Sequence, residues 1–398
     1  MSQFVAIPVS LGDAFYLNRN DYSILIDGGL DEAGFPTLFL NTIKSDNVNV
    51  VVCTHNDADH ANGILGFLKA GLSCDEVWLP GSWIGVLPDI LGPFHSVLTE
   101  LAENILDDRR QYKDDSLNPE APTLETYFEE RKALSELNAD DKRETSGLYE
   151  DGWSAQLVEL LEMSVPWDSV SLLHWINRLV YPYYVHHFDE AEIQLLWSAI
   201  EAASRIRAIA QAAFHRGIPV RWFEYDTNSP SGGNSYLRPL NAKEIATVRV
   251  RPAGTLLYLL SLSVSNKESL VFWSPPMEQH PGVLFNADSD LANVQLPSNS
   301  ELLGALATAP HHGSEANANA YLEVARAAPT AYSTVTWVRS DGRSTKRPGA
   351  AYLGLGRNKR ACTICRISAK QFTKKYAVVA QTAKSGTWQV LSAQCTCR

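Results

Sequence analysis

Thr-His-Asn-Asp-Ala-Asp-His, at residues 54–60, brings two histidines and two aspartates close together in the chain. The stretch directly follows the mainly apolar residues 48–53, which predict a buried β-strand. Imidazole nitrogen suits zinc and related metals, whereas carboxylate oxygen also holds harder divalent ions. A cluster of these side chains at the end of a strand therefore predicts a metal site. The alternative interpretation is a polar loop in which two histidines occur by chance.

The sequence on both sides of this stretch alternates between strand-like and helix-like patterns. Residues 59–70 predict a helix, because apolar side chains recur along one face. Polar clusters on the connections between strands and helices are typical of a layered α/β sandwich. The other predicted elements are strands at residues 4–9, 14–18, 22–27, 76–79, 220–225, 256–264, 270–273, 283–286 and 331–338, and helices at residues 35–43, 190–216, 299–307 and 317–327.

Residues 81–217 differ in character from the flanking sequence. They contain an acid-rich stretch and several segments with helical periodicity. We predict a mainly helical, acidic insertion that serves as a lid, as a wall that selects the substrate, or as a dimer surface. The predicted division of the chain is residues 1–80 as the first part of the core, 81–217 as the insertion, 218–355 as the second part of the core, and 356–398 as basic strands with a candidate zinc site.

Four segments together resemble the metallo-β-lactamase fold. Residues 54–60 resemble its His-x-His-x-Asp-His signature, with Asp57 in place of the second histidine. Residues 11–29 resemble its opening strands, and residues 283–288 resemble a later strand that ends in a bridging aspartate. Pro-His-His-Gly-Ser at residues 310–314 resembles a loop of the ComEC-like subgroup, which is named for the soluble domain of a DNA-uptake protein. The resemblance implies an αββα sandwich interrupted by the helical insertion.

The resemblance also implies a centre with two divalent metal ions, zinc or manganese. Such a pair of ions generates hydroxide at neutral pH and stabilises an in-line displacement. Asp59 and Asp288 would be the catalytic carboxylates. The implied ligands are His55 and Asp57 for the first ion, Asp59, His60 and one of His311 or His312 for the second ion, and Asp288 between the two.

The chain departs from the family pattern in two places. Many relatives complete the first metal site with a histidine between the first cluster and the bridging aspartate, and no histidine in that interval follows a recognisable strand end. Relatives often carry His-Pro where this chain has Arg347 and Pro348. Arg347 is therefore a candidate catalytic residue that stabilises phosphoryl charge. The candidate substrate contacts of this loop are Arg339, Arg343, Lys346 and Arg347, with a solvated basic loop as the alternative.

Charge is distributed unevenly along the chain. The formal net charge is −11, yet residues 339–398 contain 13 Lys and Arg against one acid, or +12, which leaves −23 for the remainder. A basic face beside a metal site would favour a phosphate-bearing substrate. The alternative is that the basic segment pairs with the acidic insertion inside the molecule.

The six cysteines fall into two groups. Cys53 and Cys74 flank the predicted metal loop and its helix, and we expect them to be small core residues. The other four form two closely spaced pairs that could bind a structural zinc ion, with uncoordinated thiols or disulfides as alternatives. These four are Cys362, Cys365, Cys395 and Cys397.

The chain has no uncharged apolar stretch of about 18 residues, so we expect no membrane span. Its first residues lack the basic start of a signal peptide. We therefore expect a cytoplasmic protein without a membrane partner.

Taken together, the patterns predict a metal-dependent hydrolase of phosphodiester bonds. The resemblance to the ComEC-like subgroup implies DNA or RNA as the substrate, with a metal-bound hydroxide as the nucleophile. The alternatives are a small nucleotide, an ester, amide or thioester, and a binding or regulatory protein on a degenerate hydrolase scaffold. Stand-alone relatives resemble components of bacterial defence systems. The helical insertion is the candidate contact for a partner protein or a second copy of the chain.

Overall fold

The structure is a computed structural model that describes residues 2–93, 145–164, 190–249, 269–278, 280–341, 348–364, 377–383, 386–391 and 395–397. The chain divides into two compact units. The first comprises Met1–Gly81, Arg216–Ile245 and Asn266–Arg398, and the second comprises Ser82–His215 and Ala246–Ser265. No helix among the described residues is long and apolar enough to cross a membrane.

Strands and helices are numbered here in chain order. The strands are β1 (Gln3–Ala6), β2 (Phe15–Arg19), β3 (Tyr22–Ile26), β4 (Asn47–Val52), β5 (Ser73–Pro80), β6 (Thr145–Gly147), β7 (Val220–Tyr225), β8 (Arg238–Pro239), β9 (Ala242–Glu244), β10 (Thr247–Arg249), β11 (Phe272–Ser274), β12 (Val283–Phe285), β13 (Leu306–Thr308), β14 (Thr336–Arg339), β15 (Arg360–Cys362), β16 (Val378–Thr382) and β17 (Trp388–Val390). The α-helices are α1 (Phe35–Ile43), α2 (Ala58–Lys69), α3 (Gly81–Ile84), α4 (Leu87–Ile90), α5 (Ala155–Met163), α6 (Glu190–His215), α7 (Asn319–Ala327) and α8 (Ala350–Gly354).

The first unit contains two mixed sheets. The larger has the strand order β17-β16-β1-β2-β3-β4-β5-β7-β9, and β3, β4, β5 and β7 run parallel to one another. The smaller has the order β15-β14-β13-β12-β11-β8, and β12 to β15 are parallel. Parallel strands place the loops that follow them at one edge of each sheet, which is where open α/β sheets bind ligands.

The two sheets enclose a common apolar core. Leu17 and Val50 of the larger sheet belong to the same buried cluster as Phe285 and Val338 of the smaller sheet. Residues that alternate with these point to the outer faces, because successive side chains of a strand lie on opposite sides. The packing is therefore sheet against sheet.

Helices cover the outer faces. Tyr16 of β2 meets Phe39 of α1, and Phe39 in turn meets Phe67 of α2, with ring centroids 6.4 and 5.3 Å apart. On the smaller sheet, Trp337 of β14 packs against Tyr321 of α7 at 4.6 Å. The layers of this unit thus follow the order helix, sheet, sheet, helix, consistent with the predicted αββα sandwich.

The second unit contains α4, α5 and α6, together with β6 and β10, which pair antiparallel. The buried face of α6 includes Ile200, Ile206 and Ile209. Arg207 donates to the backbone carbonyls of Ile90 and Gly92. Much of residues 81–217 lies outside the described residues, so the predicted helical character of the whole insertion stays a prediction.

One predicted helix is wrong. Residues 299–307 turn and then form β13, which pairs parallel with both β12 and β14. The leucines and alanines of this segment are good helix formers, but propensity is a weak preference, and pairing between two neighbouring strands overrides it. The predicted strand at 331–338 likewise begins with a 3₁₀ turn, Ala331–Thr334, and only then becomes β14.

Candidate metal centre

Metal-ligand side chains meet on the connections that follow three parallel strands. His55 and Asp57 lie after β4, and Asp59 and His60 lie in the first turn of α2. Asp288 follows β12. The remaining two candidates, His311 and His312, lie in the 3₁₀ turn Pro310–Gly313 after β13.

Asp288 lies at the centre of the cluster, and its two carboxylate oxygens face different histidines. Oδ1 lies 3.2 Å from Nε2 of His60 and 3.9 Å from Nε2 of His312. Oδ2 lies 3.7 Å from Nε2 of His55 and 3.5 Å from Nε2 of His311. The carboxylate therefore separates two sets of ligand atoms, as a bridge between two ions would.

The first set consists of His55, Asp57 and one oxygen of Asp288, with His311 beside that oxygen. Nε2 of His55 lies 3.7 Å from Oδ2 of Asp57, and these two residues and Asp288 offer ligand atoms within 4.8 Å of one another. His311 approaches the same oxygen of Asp288 as His55 does. His311 therefore lies beside this set as a further candidate ligand of the first ion, but it is not among the three residues whose ligand atoms all lie within 4.8 Å of one another.

The second set surrounds the other oxygen of Asp288. Nε2 of His312 lies 3.4 Å from Oδ2 of Asp59. Asp13, His60, Asp288 and His312 offer ligand atoms that all lie within 4.8 Å of one another. Of the two neighbouring histidines, His312 is thus the one near Asp59 and His60.

Asp27 orients one histidine of each set. Its Oδ2 lies 2.8 Å from Nδ1 of His60 and accepts a hydrogen bond of 2.8 Å from Oγ1 of Thr54. Oγ1 of Thr54 in turn lies 2.9 Å from Nδ1 of His55. We assign the Nδ1–H tautomer to both rings from this network, because Thr54 already donates to Asp27. Each Nε2 then carries the lone pair that a metal needs.

Asn317 and Asp13 orient the other two histidines. Oδ1 of Asn317 lies 2.8 Å from Nδ1 of His311, and its Nδ2 donates to the backbone carbonyl of Asp288 at 2.7 Å. Oδ1 of Asp13 lies 3.2 Å from Nδ1 of His312. All four imidazoles therefore present Nε2 to the centre and have Nδ1 beside an oxygen.

The end of β14 supports the histidine turn. Arg339 is 2% exposed, donates through Nε to the carbonyl of His312 and pairs with Asp341 at 3.0 Å. Ser340 donates to Oδ1 of Asp13 at 2.9 Å. The observed contacts of Arg339 thus position the turn, and its predicted contact with substrate stays a prediction.

Backbone strain is concentrated around the centre. Four non-glycine residues there have positive φ, namely Asp27 at 56°, Ala287 at 46°, His311 at 46° and His312 at 54°. A non-glycine residue in this region costs about 1–3 kcal/mol when the surroundings impose it, and such residues cluster at functional sites. In the histidine turn, both strained residues carry candidate ligands. The side chain of His311 lies near the first set, and that of His312 lies in the second set.

A close approach of two glycines sets the position of α2. A Cβ on Gly63 would lie 1.9 Å from the carbonyl oxygen of Gly28, and Gly28 donates its N–H to the carbonyl of His60 at 2.9 Å. Asp57 is the N-cap residue of α2, but its side chain makes no capping hydrogen bond. That carboxylate faces His55 instead.

Burial and neighbouring charges act in opposite directions on the ionisable groups. Burial alone would raise the pKa of Asp288, but the charges of His60 and His312 hold that pKa well below its ordinary value. Burial likewise opposes the hydrogen bond from His312 and the charge of His60, which together lower the pKa of Asp59. For His60 the signs reverse, because Asp288 and Asp27 raise a pKa that burial would lower. The centre thus favours ionised carboxylates beside a positive charge, from protons or from a metal.

The side chains fit divalent ions. Nε2 of His55 and Nε2 of His60 are buried and make no hydrogen bond of normal geometry to a described residue, although each faces an oxygen of Asp288, at 3.7 and 3.2 Å. A buried polar atom without a partner is costly unless another ligand satisfies it, and a metal ion at the lone pair would do so. Two sets of mixed nitrogen and oxygen donors suit zinc and manganese alike.

Several predicted residues lie outside the part of the chain that the structure describes. They are Arg343, Lys346, Arg347 and Cys365. The other three cysteines of the predicted zinc site, Cys362, Cys395 and Cys397, do lie together.

The residues that orient the ligands carry weaker sequence signals than the ligands do. Asp27 follows an apolar strand and precedes two glycines, as Asp288 follows the apolar β12, so its position alone could have marked it. Asp13 lies in the same opening motif. Asn317 carries no such signal, because an asparagine six residues after His311 matches no ligand spacing.

Residues 7–71 match the sequence model of the Metallo-beta-lactamase superfamily. The matched region contains β2 to β4, α1, α2 and the ligands from His55 to His60. No curated protein matches the chain. The match and the buried His/Asp cluster together indicate a metal-dependent hydrolase. The ComEC-like resemblance rests on residues 310–314, beyond the match, and stays a prediction.

Proposed function

We propose that this chain is a two-metal hydrolase of phosphodiester bonds and that its substrate is DNA or RNA. The observation that carries the proposal is Asp288, whose two oxygens face two separate sets of imidazole nitrogens. Two divalent ions about 3.5–4 Å apart supply Lewis acidity, a nucleophile at neutral pH and a clamp for in-line displacement at phosphorus.

The partly exposed carboxylates indicate the side from which substrate approaches. The side chain of Asp57 is 28% exposed and that of Asp59 is 24% exposed, whereas Asp288 is 1% exposed. Substrate would therefore approach from the side of Asp57 and Asp59, and Asp288 would hold two bound ions from within.

The anchored ends of one basic segment favour a phosphate-bearing substrate. Before residues 342–347, Ser340 donates to Asp13 of the centre. After them, Gly349 donates its N–H to the carbonyl of Gly313 in the histidine turn at 2.8 Å. Guanidinium groups bind phosphate oxygens in bidentate fashion. The sequence between these anchors contains Arg343, Lys346 and Arg347.

The first test is cleavage of labelled single-stranded DNA, double-stranded DNA and RNA, and of a chromogenic phosphodiester, with manganese or zinc supplied. Asp288→Ala protein is assayed in parallel. We expect the wild type to cleave at least one polymer and the variant to be inactive, because loss of the bridge separates the two metal positions. A wild type that binds metal and cleaves no polymer would exclude the nuclease proposal.

A second test separates phosphodiester hydrolysis from ester or amide hydrolysis. Arg343→Ala and Arg347→Ala should each lower kcat/KM for the phosphodiester on the order of 10²-fold, because each removes a donor to the developing charge. The matched control is Arg357→Ala, which removes an exposed basic residue outside this segment. Arg339 is left intact, since its buried guanidinium pairs with Asp341. Unchanged kinetics in both variants would contradict the phosphate assignment.

A further inference from the structure

A second group of metal-ligand side chains lies at the end of β15 and uses none of the residues of the His/Asp centre. The Sγ atoms of Cys362, Cys395 and Cys397 all lie within 4.8 Å of one another. Cys362 and Cys395 are 1% and 0% exposed, and Cys397 is partly buried. Three sulfurs so close together, two of them fully buried, form a built cluster.

The spacing of the sulfurs matches shared coordination. Sγ of Cys362 lies 3.6 Å from Sγ of Cys397. Two thiolates on one tetrahedral zinc ion, each at about 2.3 Å from the metal, lie about 3.8 Å apart. A disulfide requires about 2.05 Å and would involve only two of the three cysteines. The arrangement therefore fits a metal better than a covalent bridge.

A comparison with another cysteine shows what the cluster needs. Burial raises the pKa of the Cys74 thiol to about 12, so that thiol keeps its proton. Burial acts in the same direction on any thiol in apolar surroundings, and neighbouring thiolates repel one another. Three buried thiolates can coexist only when a cation compensates them, and zinc and other soft ions prefer sulfur ligands.

The cluster is connected to the histidine turn through β14. Cys362 pairs with Arg339 in the register of β15 and β14. Arg339 holds the carbonyl of His312. A metal bound to Cys362 would thus hold β15 in place. Because β15 pairs with β14, it would also support Arg339 and, through it, the histidine turn.

A second connection runs through Tyr352. Its side chain is fully buried, and its hydroxyl donates to the carbonyl of Ala361 at 3.1 Å and lies 4.0 Å from Sγ of Cys395. Its ring lies against the histidine turn, because a Cβ on Gly313 would meet the ring at 3.4 Å. Tyr352 therefore lies between the cysteine cluster and the turn that carries His311 and His312.

We infer that Cys362, Cys395 and Cys397 bind a structural zinc ion that fastens residues 395–397 to the smaller sheet and supports the histidine turn. The three thiolates supply three positions of a tetrahedral site. This ion is distinct from the hydrolytic pair, whose candidate ligands are histidines and aspartates.

The test loads the full-length chain with cobalt and records its absorption spectrum. Thiolate ligands give an intense sulfur-to-cobalt charge-transfer band, which nitrogen and oxygen ligands do not give. We expect this band in the wild type, in Asp288→Ala and in the control Cys74→Ser, and we expect Cys397→Ser to lose most of it. Cys397 is the most exposed of the three cysteines, so Cys397→Ser perturbs the apolar core least.

Three results would overturn the inference. The first is a wild type without the sulfur-to-cobalt band, and the second is an undiminished band in a folded Cys397→Ser protein. The third is a Cys362–Cys397 disulfide in the non-reduced protein, detected by peptide mass spectrometry. Retention of the band in Asp288→Ala keeps this inference separate from the hydrolase proposal, since that variant tests only the His/Asp centre.

Discussion

At the scale of single residues, the neighbour of Nδ1 decides which nitrogen each histidine presents to the centre. Asp27 engages His60 directly and His55 through Thr54. Asn317 engages His311. Such contacts fix the ring orientation and the tautomer of a ligand, and their loss typically weakens metal binding by about 10–100-fold.

Asp27→Asn tests this role. Oδ2 of Asp27 lies beside two groups, Nδ1 of His60 and Oγ1 of Thr54, while Oδ1 accepts from the N–H of Thr54. An amide must turn its NH₂ group toward one side and lose those acceptors. Asparagine still tolerates the positive φ of this position. We expect the affinity of the protein for metal to fall by about 10–100-fold. Competition with a fluorescent chelator measures this affinity.

The matched control is Asp21→Asn, which makes the same change at an exposed residue whose φ of 72° is also positive. It should bind metal as the wild type does. Equal affinities for the Asp27 and Asp21 variants would refute the orienting role of Asp27.

Asn317→Ala should affect the two metal positions unequally. Asn317 orients His311, the second histidine near the first set, whereas His312 has Asp13 beside its Nδ1. We expect the first position to lose about 10–100-fold in affinity while the second is retained. Titration with manganese, followed by metal analysis, measures both. Asn319→Ala is the control, and equal weakening of both positions in Asn317→Ala would count against the assignment of His311.

At the scale of elements, the start of α2 is fixed by packing against the connection after β3. Gly63 meets the backbone of Gly28, and no side chain fits between them. This contact places His60 beside Asp27. The position of α2 therefore decides whether His60, a ligand predicted from the local sequence, reaches Asp27.

Gly63→Ala should destabilise the protein by about 1–3 kcal/mol, the typical cost of overpacking a close contact. Urea unfolding measures the change. Gly354→Ala serves as control, because a Cβ at Gly354 meets no atom within 4 Å, and its effect should stay within about 0.5 kcal/mol. Similar unfolding midpoints for the two variants would show that the contact between α2 and Gly28 relaxes without cost.

At the scale of the whole molecule, the centre joins connections from both sheets. His55 and His60 follow β4 of the larger sheet, and Asp288 follows β12 of the smaller one. An ion bound between them exists only in the folded state, because the unfolded chain does not bring these segments together. Metal binding is therefore coupled to folding.

Divalent metal should accordingly stabilise the fold. Free ion at a hundredfold excess over its dissociation constant should raise the free energy of unfolding by about 2.7 kcal/mol relative to chelator-treated protein. Thermal unfolding at several metal concentrations measures the effect. Asp288→Ala should show a much smaller shift, and an equal shift in that variant would mean that the stabilising ion binds elsewhere.

The sequence alone determined the local features. The apolar run before His55 and the helical periodicity after His60 predicted β4 and α2 within one or two residues of their observed bounds. The ligand types in residues 54–60 predicted a metal site. These predictions succeed because strand burial, helix periodicity and ligand chemistry are encoded within a few neighbouring residues.

Only the tertiary structure decided which groups meet. The wrong helix at residues 299–307 became β13 because strands from distant parts of the chain pair on both sides of it. The division of His311 and His312 between the two sets depends on a turn with positive φ and on Asn317 and Asp13. These contacts range from six residues apart in the chain, for His311 and Asn317, to about 300 for His312 and Asp13, and no local propensity specifies them. Chain folding alone brings Asp288 between the two sets of histidines.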